Sequence, residues 1–152
     1  MSTPSLETGP DPMLLRNLAD FRFELRRFLH FSETAALEAG LHPRQYQLLL
    51  QVAGAPEASA VTIAYAAERL ALKHNSTVEL VDRSEREGLL VRTEDLDDRR
   101  RTILRVTRKG KKVMDRLAGD HARELNERAP YLVKALDHIR SPAQVGETRE
   151  AR

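Results

Sequence analysis

Apolar residues recur along the first part of the chain with helical spacing. Leu14, Leu18, Phe21, Leu25 and Phe28 follow at intervals of four, three, four and three, which places them on one stripe. Arg16, Asp20, Arg22, Glu24, Arg26 and Arg27 fall largely elsewhere. The pattern predicts a long amphipathic helix from Met13 to about Ala39. Gly40 suits the residue just beyond its end, and Pro43 suits the first turn of a second helix. In that helix Leu48, Leu49, Leu50 and Val52 form a buried segment that ends at Gly54, and Ala55 to Ala60 reads as a loop. A short, alanine-rich third helix fits Ile63 to Leu70. After Ala71, Leu72 and Lys73 a fourth begins near His74 or Asn75, where Asn75 and Ser76 offer N-cap chemistry, and stops at Gly88.

Beyond Gly88 the period changes. Leu89 to Thr93 and Thr102 to Val106 have the character of strands, and the segment between them, Glu94 to Arg101, is acidic at first and then basic. This predicts a β-hairpin with a long charged tip. Thr107 can cap a fifth helix in which Val113, Met114, Leu117, His121 and Leu125 share a face. Pro130 either interrupts that helix or opens a sixth carrying Leu132, Val133, Leu136 and Ile139. Two helices joined by a short turn form a helix-turn-helix, and one followed directly by a hairpin is the winged-helix arrangement. The expected fold is therefore mainly α with a small β-hairpin: a winged helix-turn-helix lobe plus a helical dimerisation region.

On this reading the chain divides into a disordered N-terminal segment at 1–12, a dimerisation helix and second helix at 13–54, and the winged lobe at 55–107. C-terminal dimerisation helices follow at 108–140, then a flexible tail at 141–152. The 152-residue length is that of one domain. The 32% of charged residues fits long solvated helices, and the absence of cysteine excludes disulfides, thiol redox chemistry and all-thiolate zinc sites. With no secretory leader at the start and no apolar run of the ~20 residues a membrane span needs, a soluble cytoplasmic protein is expected.

The formal charge of +2 is small, but its distribution is uneven. Arg69 to Lys112 holds 13 basic and 8 acidic residues, and within it Arg99 to Lys112 holds eight basic residues and no acidic one. A focused basic run beside a helix-turn-helix changes the picture, because duplex DNA presents regularly spaced phosphates and a major groove that admits a helix. His74, Asn75, Ser76, Val78 and Glu79 then lie at the helix end that meets base edges. Asn75 suits an adenine edge, Glu79 a cytosine amino group and Val78 a thymine methyl. Lys73 and Arg83 are placed for phosphates, which hold register without reading sequence. For each of these residues the alternative is an ordinary exposed helix position.

The stretch from Asp95 to Gly110 resembles the wing signature of the MarR (multiple antibiotic resistance regulator) family, in which Asp-x-Arg is followed by five residues, Leu-Thr, two residues and Gly. Asp98, Arg100, Thr107 and Gly110 match, with Val106 where leucine is usual. The resemblance extends to Leu80-Val-Asp-Arg83 with Gly88-Leu-Leu-Val91, to Ala67-Glu-Arg-Leu70 and to Leu41 through Leu48, and covers roughly Phe21 to Leu125. It implies a transcriptional regulator, and a homodimer in which the first, fifth and sixth helices of both chains interlock above two winged lobes. That agrees with apolar faces too extensive for one small lobe to bury. Two-fold symmetry implies a pseudo-palindromic operator with half-sites ~34 Å apart. By the same resemblance Asp98 organises the wing turn and Arg100 enters the minor groove, with Arg99 and Arg101 as second choices. Ser84 stands where the family commonly has leucine, and His42 where it often has serine or threonine capping the second helix.

Because many relatives respond to small aromatic or anionic compounds, Arg26, His30 and Tyr46 are the candidate ligand residues, their alternative being core packing and surface ion pairs. Asp120, His121 and Glu124 share one helical turn, but no two histidines stand three or four apart, and no metal or other cofactor is expected. Motifs for phosphate loops, zinc hydrolases and nucleophile elbows are missing, so an enzyme is not expected. The function expected is a sequence-specific double-stranded DNA-binding regulator, a repressor released by a small ligand. The alternatives are a sequence-tolerant architectural DNA binder and a winged-helix protein-interaction module without DNA binding.

Overall fold

A computed structural model describes residues 9–140. Its elements run α1 (Pro12–Glu38), α2 (Pro43–Ala53), α3 (Ile63–Leu70), α4 (His74–Arg86), β1 (Leu90–Glu94), β2 (Thr102–Val106) and α5 (Arg108–Arg140). The expected disorder of 1–8 and flexibility of 141–152 lie outside the described residues. No helix among the described residues is long and apolar enough to cross a membrane.

Two compact units emerge. One comprises the chain up to His30 together with the chain from Arg123 onward, and the other comprises Phe31–Ala122. In the first unit Ala135 is buried, and Arg128 pairs with Glu24 at 3.5 Å and with Glu124. Much of this unit's apolar surface stays open: Leu15, Phe23 and Leu29 of α1 and Tyr131, Val133 and Leu136 of α5 are all exposed. The fifth and sixth helices expected around Pro130 are one helix, since Pro130 lies inside α5. An internal proline forfeits one backbone bond and is tolerated there as a local interruption rather than an end.

The second unit holds a core of Leu48, Leu49 and Val52 from α2, Ala66 from α3, Val81 from α4, Leu90 and Leu104 from the hairpin, and Met114 and Leu117 from α5. The helices that enclose it end where the sequence dictates. Gly40, at φ +80, lets the chain turn after α1, and Gly88, at φ +73, does so after α4, both conformations that favour glycine. At the start of α2, His42 Nδ1 accepts the Arg44 N–H at 3.2 Å, and Gln45 Oε1 accepts the His42 N–H at 2.9 Å, forming a capping box. An imidazole thus fills the capping place where a hydroxyl is usual.

Two expectations at α4 change. Neither Asn75 nor Ser76 caps the helix: Lys73 is the N-cap, in extended conformation and without a side-chain cap bond. The turn from α3 is too short to reach them, because Ala71 adopts φ +52 and the chain enters α4 at His74. Ser84, where a leucine was the comparison, is fully buried, and its hydroxyl donates to the Leu80 carbonyl at 2.8 Å. The buried hydroxyl is satisfied, so the smaller side chain fits without an orphaned polar group.

Candidate nucleic-acid interface

Helix α4 turns one face inward and leaves the other free. Thr77, Val81 and Ser84 are buried at spacings of four and three, so Asn75, Glu79, Asp82, Arg83 and Arg86 occupy exposed positions around the remaining surface. Lys73 and His74 are exposed beside them, while Ser76 and Val78 are half-buried at the edge. The α3–α4 turn therefore brings together the residues expected to meet base edges. Arg83 is not independent of the lobe. Its Nε donates to Glu87 Oε1 at 3.2 Å, and Glu87 Oε2 accepts from the fully buried Gln45 at 2.8 Å. The hydrogen bond from Gln45, aided by Arg83 and Lys109, holds the Glu87 carboxyl below the usual carboxylate range.

Strands β1 and β2 pair in antiparallel register, Leu90 with Val106 through Glu94 with Thr102. The tip between them is tied to its own backbone. Asp95 N–H donates to the Arg101 carbonyl at 3.1 Å, and Arg101 N–H to the Asp98 carbonyl at 2.9 Å. Asp98 Oδ1 accepts the Arg100 N–H at 3.0 Å, and Asp95 Oδ1 accepts the Asp97 N–H at 3.0 Å. That backbone hydrogen bond is the main reason the Asp95 carboxyl lies below its ordinary range, with Arg101 assisting from 2.9 Å.

The side chains of the tip consequently separate into two sets. Arg101 is drawn to Asp95 and Asp98, whereas the Arg100 side chain is 95% exposed, its guanidinium 3.9 Å from Asp98. Arg99 is also exposed, and Leu96 is 97% exposed, a residue that charge-based reading of the wing passes over. Of the three arginines, Arg100 has its backbone fixed by Asp98 while its head remains available.

The rest of the signature serves the wing's root. Thr107 Oγ1 donates to the Gly88 carbonyl at 2.6 Å and accepts the Gly110 N–H at 3.1 Å, joining the end of α4 to the start of α5. A side chain at Gly110 would meet the Leu89 carbonyl oxygen at 2.0 Å, which leaves room only for hydrogen.

The candidate ligand residues fall in both units. Tyr46 is buried, its ring 4.7 Å from that of His121, and burial pushes its phenol above the ordinary range. Arg26 and His30 are exposed on α1 in the other unit. A cleft of about 390 Å³ beside β2 is lined by residues including Glu57, Val61 and Arg105. One of about 400 Å³ in the first unit is lined by residues including Arg16, Phe23, Tyr131 and His138. None of Arg26, His30 and Tyr46 lines either cleft. Both nitrogens of His121 have oxygen partners, Nδ1 at the Leu117 carbonyl (2.6 Å) and Nε2 at Ser32 Oγ (2.7 Å). Among the described residues no group of three or more potential ligands could hold a metal ion.

Residues 39–101 match a model of the MarR family. CouR from Rhodococcus jostii RHA1, solved bound to p-coumaroyl-CoA, is 25% identical with a TM-score of 0.59, over 76% of this chain and 85% of its own. AbsC, a MarR family transcriptional regulator from Streptomyces coelicolor, is 19% identical with a TM-score of 0.66, over 93% of this chain and 96% of its own. MepR from S. aureus, solved as a DNA complex, is 19% identical with a TM-score of 0.58, over 75% of this chain and 80% of its own. At their lower identities AbsC and MepR share the fold. No curated protein matches the chain by sequence.

Proposed function

We propose that this chain, whose residues 39–101 match the MarR family model and whose described residues form five helices and a two-stranded hairpin, is a sequence-specific double-stranded DNA-binding repressor of that family. It acts by binding and not by catalysis, in the cytoplasm, as a homodimer on a pseudo-palindromic operator. The observation that carries this reading is the wing tip. A turn tied by Asp95 and Asp98 presents Arg100 almost fully to solvent beside a helix whose outer face carries Lys73, His74, Asn75 and Glu79. In this reading α4, with Ser76, Val78 and Arg83 at the margins of its contact, lies in the major groove, and Arg100, flanked by Arg99 and Arg101, enters the minor groove.

The exposed apolar residues of the first unit support the dimer, since a patch with Leu15, Phe23, Leu29, Tyr131 and Val133 open to water suits burial against a second copy. CouR's p-coumaroyl-CoA supports an aromatic or anionic effector, with Arg26, His30 and Tyr46 as the residues to test. The deciding experiment titrates the protein against the DNA upstream of its own gene and against a scrambled duplex at two salt concentrations. Preference for the first is expected, and equal affinity for both overturns the sequence-specific reading. Arg100→Ala is expected to weaken binding and reduce the salt slope by about one counterion. An unchanged isotherm removes Arg100 from the interface.

A further inference from the structure

One rung of the wing is bonded to the lobe on both of its edges. Arg92 of β1 stands opposite Leu104 of β2, and the backbone N–H of each leaves the hairpin for the lobe. On one edge Leu104 N–H donates to the Val61 carbonyl at 2.8 Å. On the other, Arg92 N–H donates to Glu85 Oε2 of α4 at 3.0 Å. The Arg92 side chain reaches the same helix twice more, Nη1 to Glu85 Oε1 at 2.9 Å and Nη2 to Asp82 Oδ1 at 2.5 Å. The alternation that buries Leu90 puts Arg92 on the same face of the strand, so its cation meets α4 where the apolar contact ends. Asp82, mainly through its hydrogen bond, and Glu85 push the guanidinium above its ordinary range.

We propose that Arg92 is a positioning residue for DNA binding: it locks the wing to the recognition helix, so that the two are presented to DNA as one rigid body. The inference rests on the DNA-binding reading above and adds to it a residue that need not touch DNA. The lever is short but sensitive. The tip begins at Asp95, three residues beyond the rung, a reach of ~10 Å at ~3.3 Å per residue. A tilt of about 10° at the rung moves the base of the tip by roughly 2 Å, and Arg100 further, more than a hydrogen bond tolerates. A merely stabilising role fits less well, because half-exposed ion pairs add little to stability.

Removing the clamp from the helix side separates positioning from charge. Asp82→Ala/Glu85→Ala deletes two negative charges, so simple electrostatics predicts tighter binding to any duplex. The clamp predicts the opposite: affinity for the upstream DNA falls about tenfold, and the penalty of Arg100→Ala shrinks toward onefold in that background, because the two contacts no longer act together. Arg92→Lys, which keeps the charge without the fork, is expected to behave as the double alanine variant does. A second arm needs no DNA. Hydrogen exchange at the Leu104 amide of the free protein, whose Val61 partner the substitutions leave in place, should accelerate about tenfold in the Asp82→Ala/Glu85→Ala variant, with little change in Tm. Tighter binding, an undiminished Arg100→Ala penalty, or unaltered exchange at Leu104 overturns the clamp. If the wild-type protein shows no preference for its upstream DNA, the regulator reading falls, while the exchange arm still decides whether Arg92 holds the wing.

Discussion

Replacing a helical glycine by alanine ordinarily stabilises a protein by up to about 1 kcal/mol. Gly110→Ala is expected to do the reverse. The new methyl would lie 2.0 Å from the Leu89 carbonyl oxygen and 2.9 Å from both the Leu89 carbonyl carbon and Val106 Cγ1. Carbon and oxygen approach no closer than about 3.3 Å in weak contacts, so the backbone at Leu89 must withdraw by more than about 1 Å. That carbonyl accepts the Thr107 N–H at 3.1 Å, and Thr107 in turn bridges Gly88 and Gly110, so the withdrawal opens the junction. Overpacking of this kind costs about 1–3 kcal/mol, and each hydrogen bond loosened costs about 1 kcal/mol more. After the propensity gain, a net loss of about 2 kcal/mol remains. For a chain of this length that corresponds to a Tm lower by roughly 4–8 °C. Urea unfolding followed by circular dichroism, with calorimetry for Tm, measures it. A variant as stable as the wild type, or more so, refutes the reasoning.

Two further outcomes follow from the same region. Thr107→Val keeps the shape but loses both the cap and the bond to Gly88, and should lower stability by about 1–2 kcal/mol in urea titration, with Thr107→Ser restoring most of it. Glu87 has a folded-state pKa below its ordinary value of 4.5, so its contribution is fully present above about pH 4.5 and is lost as the pH falls through the lower folded value. Glu87→Gln should therefore be less stable than wild type at neutral pH, and the gap should close on acidification below pH 4.5. A gap that widens with acid contradicts the assignment.

Periodicity and end signals made most of the elements legible, because Gly40, Pro43, Gly54, Gly88 and Thr107 each act locally. α2 and α3 and β2 fall where the sequence places them, and Thr107 caps α5 as expected. Local signals failed where tertiary geometry decides. Asn75 and Ser76 are good cap residues, but the entry at His74 left Lys73 as the cap. Pro130 signals a break that the continuous α5 overrides. In the candidate site, the signature points to Asp98 and Arg100, yet the difference in exposure and pairing between Arg100 and Arg101 depends on which carboxylates the turn brings near. The pairing of Arg92 with Asp82 and Glu85 crosses from strand to helix and has no periodic trace. Only the alternation from Leu90 to Arg92 points to it.

The division of the chain into a continuous unit, Phe31–Ala122, and one assembled from both flanks bears on how the molecule comes into being. As the polypeptide leaves the ribosome, the winged lobe can close once its own residues are out, whereas the flanking unit waits for the second half of α5. Until then the nascent chain carries Leu15, Phe23 and Leu29 without Tyr131, Val133 and Leu136 from the same unit. The first part of α1 is thus among the last segments to find its place, and it is the segment a chaperone would be expected to hold.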